Sequence, residues 1–432
     1  MAAKIVEKKG SKLIVEVEMN LSGKSMLDME VAIRNAVNEA GALGTAEALK
    51  SLDADGRPII SDDIKFTSKG EHTEKYECPY GSIVVSRQVY QSSAGGKTFC
   101  PLESSARMML NSTPAYAKML SLKYAHNGAP RVERDMLESN GRDVCPVYIK
   151  KVADAVGEMA NIQEGEWEYD LPKFSRNVAS VSVGLDGTCM LMSEYGWREA
   201  MTGSISLYDS KSERMHTVYI GAIPEYGKAS FLKRLDDELA KIKERYPDCV
   251  YIGLADGAAE NWSFLEKRTD RSVLDFYHVL EYVKLAVGSI YPGKKYQGKR
   301  EEVLDGRLHS LKHKHGAAKR LLSELEGELE NVSAKHRENL QKTVTYFRNN
   351  YKRMNYARQT RDGMPISSGV TEAACKELIK QRLCSSGMRW KEKGAASVIA
   401  IRSLVMTDKR WEQFWNKISE SGCPCHKKFE TI

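Results

Sequence analysis

Two short motifs in this chain set a carboxylate directly before glycine at the end of an apolar run. They are Leu185-Asp186-Gly187-Thr188 and Ala255-Asp256-Gly257-Ala258. An acid so placed is expected at the edge of a β-sheet with little steric cover, and two such strands side by side bring the carboxylates together. Like charges at that range repel unless cations lie between them, and hard oxygen ligands suit Mg2+ or Mn2+. A third acid, Glu372, follows Pro365-Ile-Ser-Ser-Gly-Val-Thr, where a helix is expected to begin and its dipole helps keep the carboxylate ionised. Each acid has a plainer reading. Asp-Gly is also a common turn pair, and Glu372, three residues after Gly369, also fits the third position of a helix cap. The order of the three acids along the elements that carry them is the stronger signal.

Those elements follow from pattern. Val178–Asp186 alternates into its acid, and Met201–Tyr208 and His216–Ile223 read as two further strands. Phe231–Arg245 predicts a helix with Leu232, Leu235, Leu239 and Ile242 on one face. Cys249–Asp256 is a continuous apolar run, the mark of a buried central strand, and Ser272–His278 is a fifth candidate. Three strands, a helix, a strand, a connection and another strand is the order of an RNase H-like core, so the expected class is α/β. Beyond His278 the pattern turns helical, which predicts a helical insertion over about 285–362 before the Glu372 helix. The catalytic domain is expected over 174–420, with a tail at 421–432.

An acidic linker over 162–173 (Glu164, Glu166, Glu168, Asp170, closed by Pro172) marks a boundary. Residues 1–110 read as a small α+β module, with a helical rhythm over 26–52 and strand-like runs around 59–67, 72–78 and 82–91. Over 111–161 three short helices are expected, Pro114–Tyr124, Arg131–Ser139 and Pro146–Ala160, with Asn140-Gly141 stopping the second. Short helices with a Gly-containing connection outline a helix-turn-helix. In that motif the last helix presents Tyr148, Lys150 and Lys151 to the major groove. An ordinary three-helix packing unit has the same pattern.

Charge is uneven along the chain. Lys plus Arg number 65 against 58 acids, a net +7, which divides into −6 over residues 1–292 and +13 over 293–432. That asymmetry invites a polyanionic partner for the C-terminal third. A hydrophobic fraction of 42% with 28% charged residues is globular rather than disordered. No apolar stretch approaches the roughly 20 residues needed to span a bilayer, and Met1–Lys9 lacks the apolar core of a signal peptide. A cytoplasmic protein without a membrane partner is expected. The nine cysteines are odd in number and irregular in spacing, unlike a disulfide framework. Cys423-Pro-Cys425-His426 resembles a fragment of a metal knuckle but lacks a second pair. Ser22-Gly-Lys-Ser25 resembles the end of a phosphate-binding loop, yet the required earlier glycine falls on Glu18, so no nucleotide cofactor is expected.

Taken together, Gly184-Leu-Asp-Gly-Thr188, Leu254-Ala-Asp-Gly-Ala258, Asp275-Phe-Tyr-His278 and Ser367-Ser-Gly-Val-Thr-Glu372 resemble the motifs of DDE transposases. More narrowly they resemble bacterial insertion-sequence transposases of the Kra-four type. Ser386-Gly-Met-Arg-Trp390, Gly394-Ala395, Arg410-Trp-Glu-Gln-Phe-Trp415 and the stretch from Cys78-Pro-Tyr-Gly81 to Cys100-Pro-Leu-Glu103 resemble that group as well. The resemblance covers about residues 70 to 416. It implies that Asp186, Asp256 and Glu372 are a catalytic triad holding two Mg2+ (or Mn2+) ions. The activity it implies is two-metal phosphoryl transfer, nicking a transposon end and then joining the freed 3′-hydroxyl to target DNA.

His278 matches the His of a Cys/Asp-x-x-His element; it either orients the scissile phosphate or water, or is a core histidine at a strand end. Lys380, Arg382, Arg389, Trp390, Lys391 and Lys393 follow Glu372 closely, and are either a phosphate grip beside the site or a solvated helix face. The implied partner is double-stranded DNA, bound by a homodimer or larger assembly on the nucleoid. A non-catalytic DNA-binding regulator retaining the same fold is the alternative. A metal-free carboxylate-pair hydrolase acting on sugars would leave the +13 end unexplained.

Overall fold

The computed structural model describes residues 2–422 and the backbone of Glu430–Thr431; Cys423, Cys425 and His426 lie outside the described residues. Two compact units are present. One gathers Met1–Asp170, Glu392–Val405 and Lys409–Ile432, the other Leu171–Lys391 and Met406–Asp408.

The first unit opens on a hairpin that the sequence pattern does not announce, β1 (Ala3–Lys9) and β2 (Lys12–Val17). Helix α1 (Met26–Lys50) starts at Ser25, whose hydroxyl accepts the Asp28 N–H while Asp28 accepts the Ser25 N–H. Then come β3 (Ile59–Ser61), β4 (Ile64–Cys78), β5 (Gly81–Ser92) and β6 (Gly95–Phe99), an antiparallel sheet with Glu430–Thr431 on its β3 edge. The expected break between strands at 67 and 72 is instead a bulge inside β4, where the register shifts between Ser68 and Glu71. Gly70, at a φ of 92°, lets the strand bend there without ending. Helices α2 (Pro101–Ser105), α3 (Pro114–His126), α4 (Ala129–Asn140) and α5 (Pro146–Gln163) follow. Gly141 closes α4 in the left-handed conformation, as the Asn-Gly pair implied.

The second unit is a mixed α/β structure. Its sheet comprises β7 (Ser180–Met192), β8 (Gly196–Tyr208), β9 (Arg214–Ala222), β10 (Val250–Ala255) and β11 (Arg271–Leu274). The spatial order is β11-β10-β7-β8-β9; β7, β8 and β9 form an antiparallel meander, while β10 lies parallel to both β7 and β11. Every residue of β10 from Tyr251 to Ala255 is buried, as a continuous apolar run requires between two parallel neighbours. Helix α6 (Ala229–Arg245) connects β9 to β10 and buries Phe231, Leu235, Leu239 and Ile242. Phe231 takes the place expected for Leu232, which is half-buried beside it.

Helix α7 (Ala259–Leu265) leads to β11, and α8 (Phe276–Ile290), α9 (Gln297–His313), α10 (Ala317–Gly327), α11 (Ala334–Asn350) and α12 (Tyr356–Arg361) follow as a helical run that spans the stretch expected as an insertion, 285–362. Helix α13 (Gly369–Ala374) then runs through a π-helical turn, Cys375–Lys380, into α14 (Gln381–Leu383). Among the described residues no helix is long and apolar enough to cross a membrane.

The last two helices, α15 (Glu392–Met406) and α16 (Arg410–Ser421), were expected with the residue 174–420 domain. Most of α15 and all of α16 belong to the first unit instead. The reason is close packing: a Cβ on Gly157 of α5 would fall 2.5 Å from Ser397 of α15. Arg402 donates to the Ala125 carbonyl at 2.7 Å, and Trp167 meets Phe414 at 5.6 Å. Gln413 also grips both the amide and the carbonyl of Asp170, so this end of the acidic linker is tied down.

Candidate active site on two parallel strands

Parallel register does most of the positioning. Gly184 on β7 lies opposite Leu254 on β10. Asp186 and Asp256 each stand two residues beyond that pair, near enough for the charge of Asp256 to act on Asp186. Asp256 sits just past the end of β10. Its Oδ1 accepts the Ala258 N–H at 3.1 Å and the Asn261 amide at 3.4 Å. Asn261 is buried on α7 and also donates to the Leu185 carbonyl at 3.4 Å. One amide thus ties Asp256 to the strand that carries Asp186.

Asp186 corrects an expectation. It lies inside a strand, and the Asp-Gly pair ends nothing, because β7 runs on to Met192 with Met190 and Met192 filling the core side. Gly187 leaves room for the side chain of Glu199, whose Oε1 would lie 2.3 Å from a Cβ there. Burial pushes the Asp186 carboxyl above the usual carboxylate range. The charge of Asp256 acts in the same direction, against the Cys375 thiol, the Gly187 N–H and the charge of Lys380. Cys375 itself is held up at about 12 by burial and by Asp186, so it stays a neutral donor.

Glu372 reaches the site on α13, which packs over β7 and β8. Thr371 and Ser204 share a hydrogen bond of 2.7 Å between hydroxyls. Thr371 also fills the space over Gly184, where a Cβ would lie 2.1 Å from its Oγ1. The π-helical turn that follows carries both Cys375 and Lys380, and such turns recur where a helix must aim side chains at a site.

His278 is a second correction. β11 stops at Leu274, and His278 stands half-exposed on the first turn of α8 rather than at a strand end. Asp275 makes the difference by capping the helix: its Oδ1 accepts the His278 N–H at 2.8 Å. Fully buried, Asp275 also accepts the Ser368 N–H at 2.5 Å and the Ser368 hydroxyl at 2.9 Å, so it holds the start of the Glu372 helix too. His278 Nε2 consequently comes within 3.4 Å of Glu372 Oε1. Ligand atoms of Asp275, His278 and Glu372 lie within 4.8 Å of one another, whereas Asp186, Asp256 and Glu372 do not converge so tightly among the described residues. With both Asp275 oxygens bonded to protein donors, His278 and Glu372 are the members that face outward. Asp275→Ala is expected to lower the unfolding free energy by about 3 kcal/mol, because it uncaps α8, releases the start of α13 and orphans buried donors. Urea denaturation checks this; a change within experimental scatter would mean the caps are idle.

Beside Gly257 a cleft of about 860 Å³ opens, lined by Trp262, Tyr282, Gln341, Tyr346, Asn349 and Arg353 among others. Tyr282 and Tyr346 stack at 3.7 Å, and a Cβ on Gly257 would come within 2.9 Å of Tyr346. The insertion therefore walls the side of the site next to Asp256.

The basic residues expected to meet nucleic acid divide sharply. In the helix-turn-helix-like unit, the Tyr148 hydroxyl donates to the Leu110 carbonyl at 3.0 Å, and Lys150 pairs with Asp154 at 2.6 Å. Lys151 remains exposed on the same helix. Lys380, Arg389 and Lys391 are exposed in the second unit. Arg382 is buried and stacks over the Trp390 ring at 5.0 Å, while the Trp390 indole donates to the Leu383 carbonyl at 3.0 Å. Those two hold the segment together rather than present themselves to a phosphate. Lys393 lies in the first unit and pairs with Glu158 at 2.8 Å. Asn261, Ser368 and Cys375 support the acids without having been singled out; Ser367-Ser-Gly alone carried a legible signal, that of a helix start.

Neither a protein-family model nor a curated protein matches this chain.

Proposed function

We propose that the chain is a metal-dependent DNA transposase with an RNase H-like catalytic core. The observation that supports the reading is the parallel pairing of Gly184 with Leu254, beyond which Asp186 and Asp256 each follow by two residues, with the Glu372 helix packed over Gly184 through Thr371. A meander of three antiparallel strands extended by two parallel ones supports the RNase H-like assignment. Two neighbouring acids, one of them forced toward protonation by burial and by the other's charge, suit divalent cations with a preference for oxygen ligands.

Asp186 and Asp256 would hold the ions, two of Mg2+ or Mn2+, and Glu372 would complete the set. When bound, those ions supply charge neutralisation and an activated water for in-line displacement at a phosphodiester. The protein's own part is placement. Asn261 fixes Asp256, the Cys375 thiol and Gly187 amide fix Asp186, and His278 fixes the outward rotamer of Glu372. Lys380 adds positive charge beside the acids, where a phosphate would lie. Double-stranded DNA is the substrate, with at least two copies of the chain when two ends are brought together, in the cytoplasm on the nucleoid.

The test is to incubate the full chain with duplex DNA taken from either side of its own gene. Nicking in Mg2+ that leaves a 3′-hydroxyl and stops with EDTA is the expected result. Binding without cleavage would favour the non-catalytic regulator, and cleavage that ignores EDTA would overturn the metal-dependent reading.

A further inference from the structure

The hairpin of β7 and β8 extends well beyond Asp186, and its tip has two dissimilar faces. Register places Leu191 opposite Trp197 and Met192 opposite Gly196. The segment around Trp390 adds a third strand to this tip: Met192 bridges Trp390 in parallel, the Trp390 N–H donates to the Leu191 carbonyl at 3.1 Å, and the Ser193 N–H donates to the Trp390 carbonyl at 2.8 Å. Side chains alternate between faces with a period of two, and cross-strand partners share a face. Met190, Met192 and Trp390 therefore point inward together, which agrees with the burial of both methionines. Leu191 and Trp197, together with Arg389 and Lys391 on either side of Trp390, share the opposite face, and Tyr195 stands in the turn at its end.

That outer face combines large exposed rings with free cations. Trp197 is 63% exposed and Tyr195 49%, far more than aromatic residues at a sheet surface need to be. Arg389 and Lys391 are exposed and have no ion-pair partner among the described residues. Of the acids nearby, Glu199 is engaged by Lys228 at 2.7 Å, and Glu194 stands at the turn itself. A neutral apolar patch would suit a protein partner. Rings flanked by unpaired cations on one flat ribbon match a strand of unpaired nucleotides, whose bases stack and whose phosphates carry the opposite charge.

We propose that this face is a stacking platform for single-stranded DNA, with Trp197 carrying a base and Arg389 and Lys391 meeting the neighbouring phosphates. The inference rests on DNA being the substrate class and adds to it the unpaired state of the nucleotides bound here. Trp390, the aromatic residue that stands within the basic cluster in sequence, is turned away from this role, and Trp197 takes it.

The experiment uses the full chain in EDTA and a fluorescein-labelled thymidine 12-mer, read by anisotropy. Trp197→Ala is expected to weaken binding at least about fivefold, and Trp197→Phe to keep it within about threefold, since stacking needs a ring rather than an indole. Arg389→Ala and Lys391→Ala should each reduce the slope of log affinity against log salt by about 0.7, the single-strand value for one lost phosphate contact. Equal binding by wild type and Trp197→Ala would overturn the proposal. So would a Trp197→Ala variant that changes only the oligomeric state on gel filtration, which would make the face a contact between copies. EDTA removes cleavage from the measurement, so failure of the catalytic reading would leave this result intact, and the reverse also holds.

Discussion

Asp186→Ala and Asp256→Ala are each expected to lower Mg2+-dependent strand cleavage by about a thousandfold or more, with duplex binding within about twofold of wild type. The size follows from what each acid does. A ligated divalent ion supplies several kcal/mol of transition-state stabilisation, and each 1.36 kcal/mol is about tenfold in rate. The register leaves no neighbour to substitute. Asn261 already serves Asp256, and among the acids close by, Glu199 is paired to Lys228. Single-turnover nicking rates beside gel-shift affinities make the measurement. Nor should Asp186→Ala fail to fold, because burial and Asp256 make the ionised Asp186 carboxylate unfavourable in the folded chain. Cleavage that survives either change would remove the acid pair from the mechanism.

Gly184→Ala is the second large effect, and it touches no catalytic group. The new Cβ would lie 2.1 Å from Thr371 Oγ1 and 3.2 Å from the Leu254 carbonyl. Neither can retreat freely, since Thr371 is buried against Ser204 and Leu254 belongs to the central parallel pair. Overpacking of this kind costs about 3 kcal/mol. Lifting α13 off the sheet also carries Glu372 away from Asp186, and a displacement of about 1 Å at a reacting centre is worth roughly a hundredfold in rate. Adding Thr371→Ala removes the clashing hydroxyl and should recover much of the activity. Thermal melts and cleavage rates on the single and double variants separate the two consequences. A fully active Gly184→Ala would mean that the Glu372 helix is not seated where the site requires it.

Much of this arrangement is legible in the sequence, and what is hidden has physical causes. The apolar run before Asp256 and the amphipathic α6 follow from periodicity, because burial on two faces or one leaves a direct trace in composition. Asp186 was misplaced at a strand end because Asp-Gly is read locally as a turn, whereas a partner side chain, Glu199, occupies the space that Gly187 leaves open. His278 was misplaced for a similar reason. Asp275 reads as the end of a β run, but its two oxygens cap one helix and secure another, a contact spanning more than ninety residues. The membership of α15 depends on Gly157 leaving room for Ser397, where a Cβ would fall 2.5 Å away, a contact that no local pattern contains. Trp197 leaves no local signal, because its exposure follows from three-strand register at the hairpin tip, not from its neighbours in sequence.

The central claim is that Asp186 and Asp256 together form a cation site, and a thermal melt with and without ions tests it most directly. Asp186 has a raised pKa in the folded chain, so between its unfolded value, about 3.9, and the raised folded value, stability falls as pH rises. Above the folded value, in EDTA, the full destabilisation is present. Asp186→Asn removes it and should melt higher than wild type there, with the difference disappearing below the unfolded value. Adding Mn2+ or Mg2+ should raise the wild-type melting temperature by mass action and leave Asp186→Asn and Asp256→Asn nearly unmoved. Equal ion-induced shifts in wild type and both variants would contradict the account.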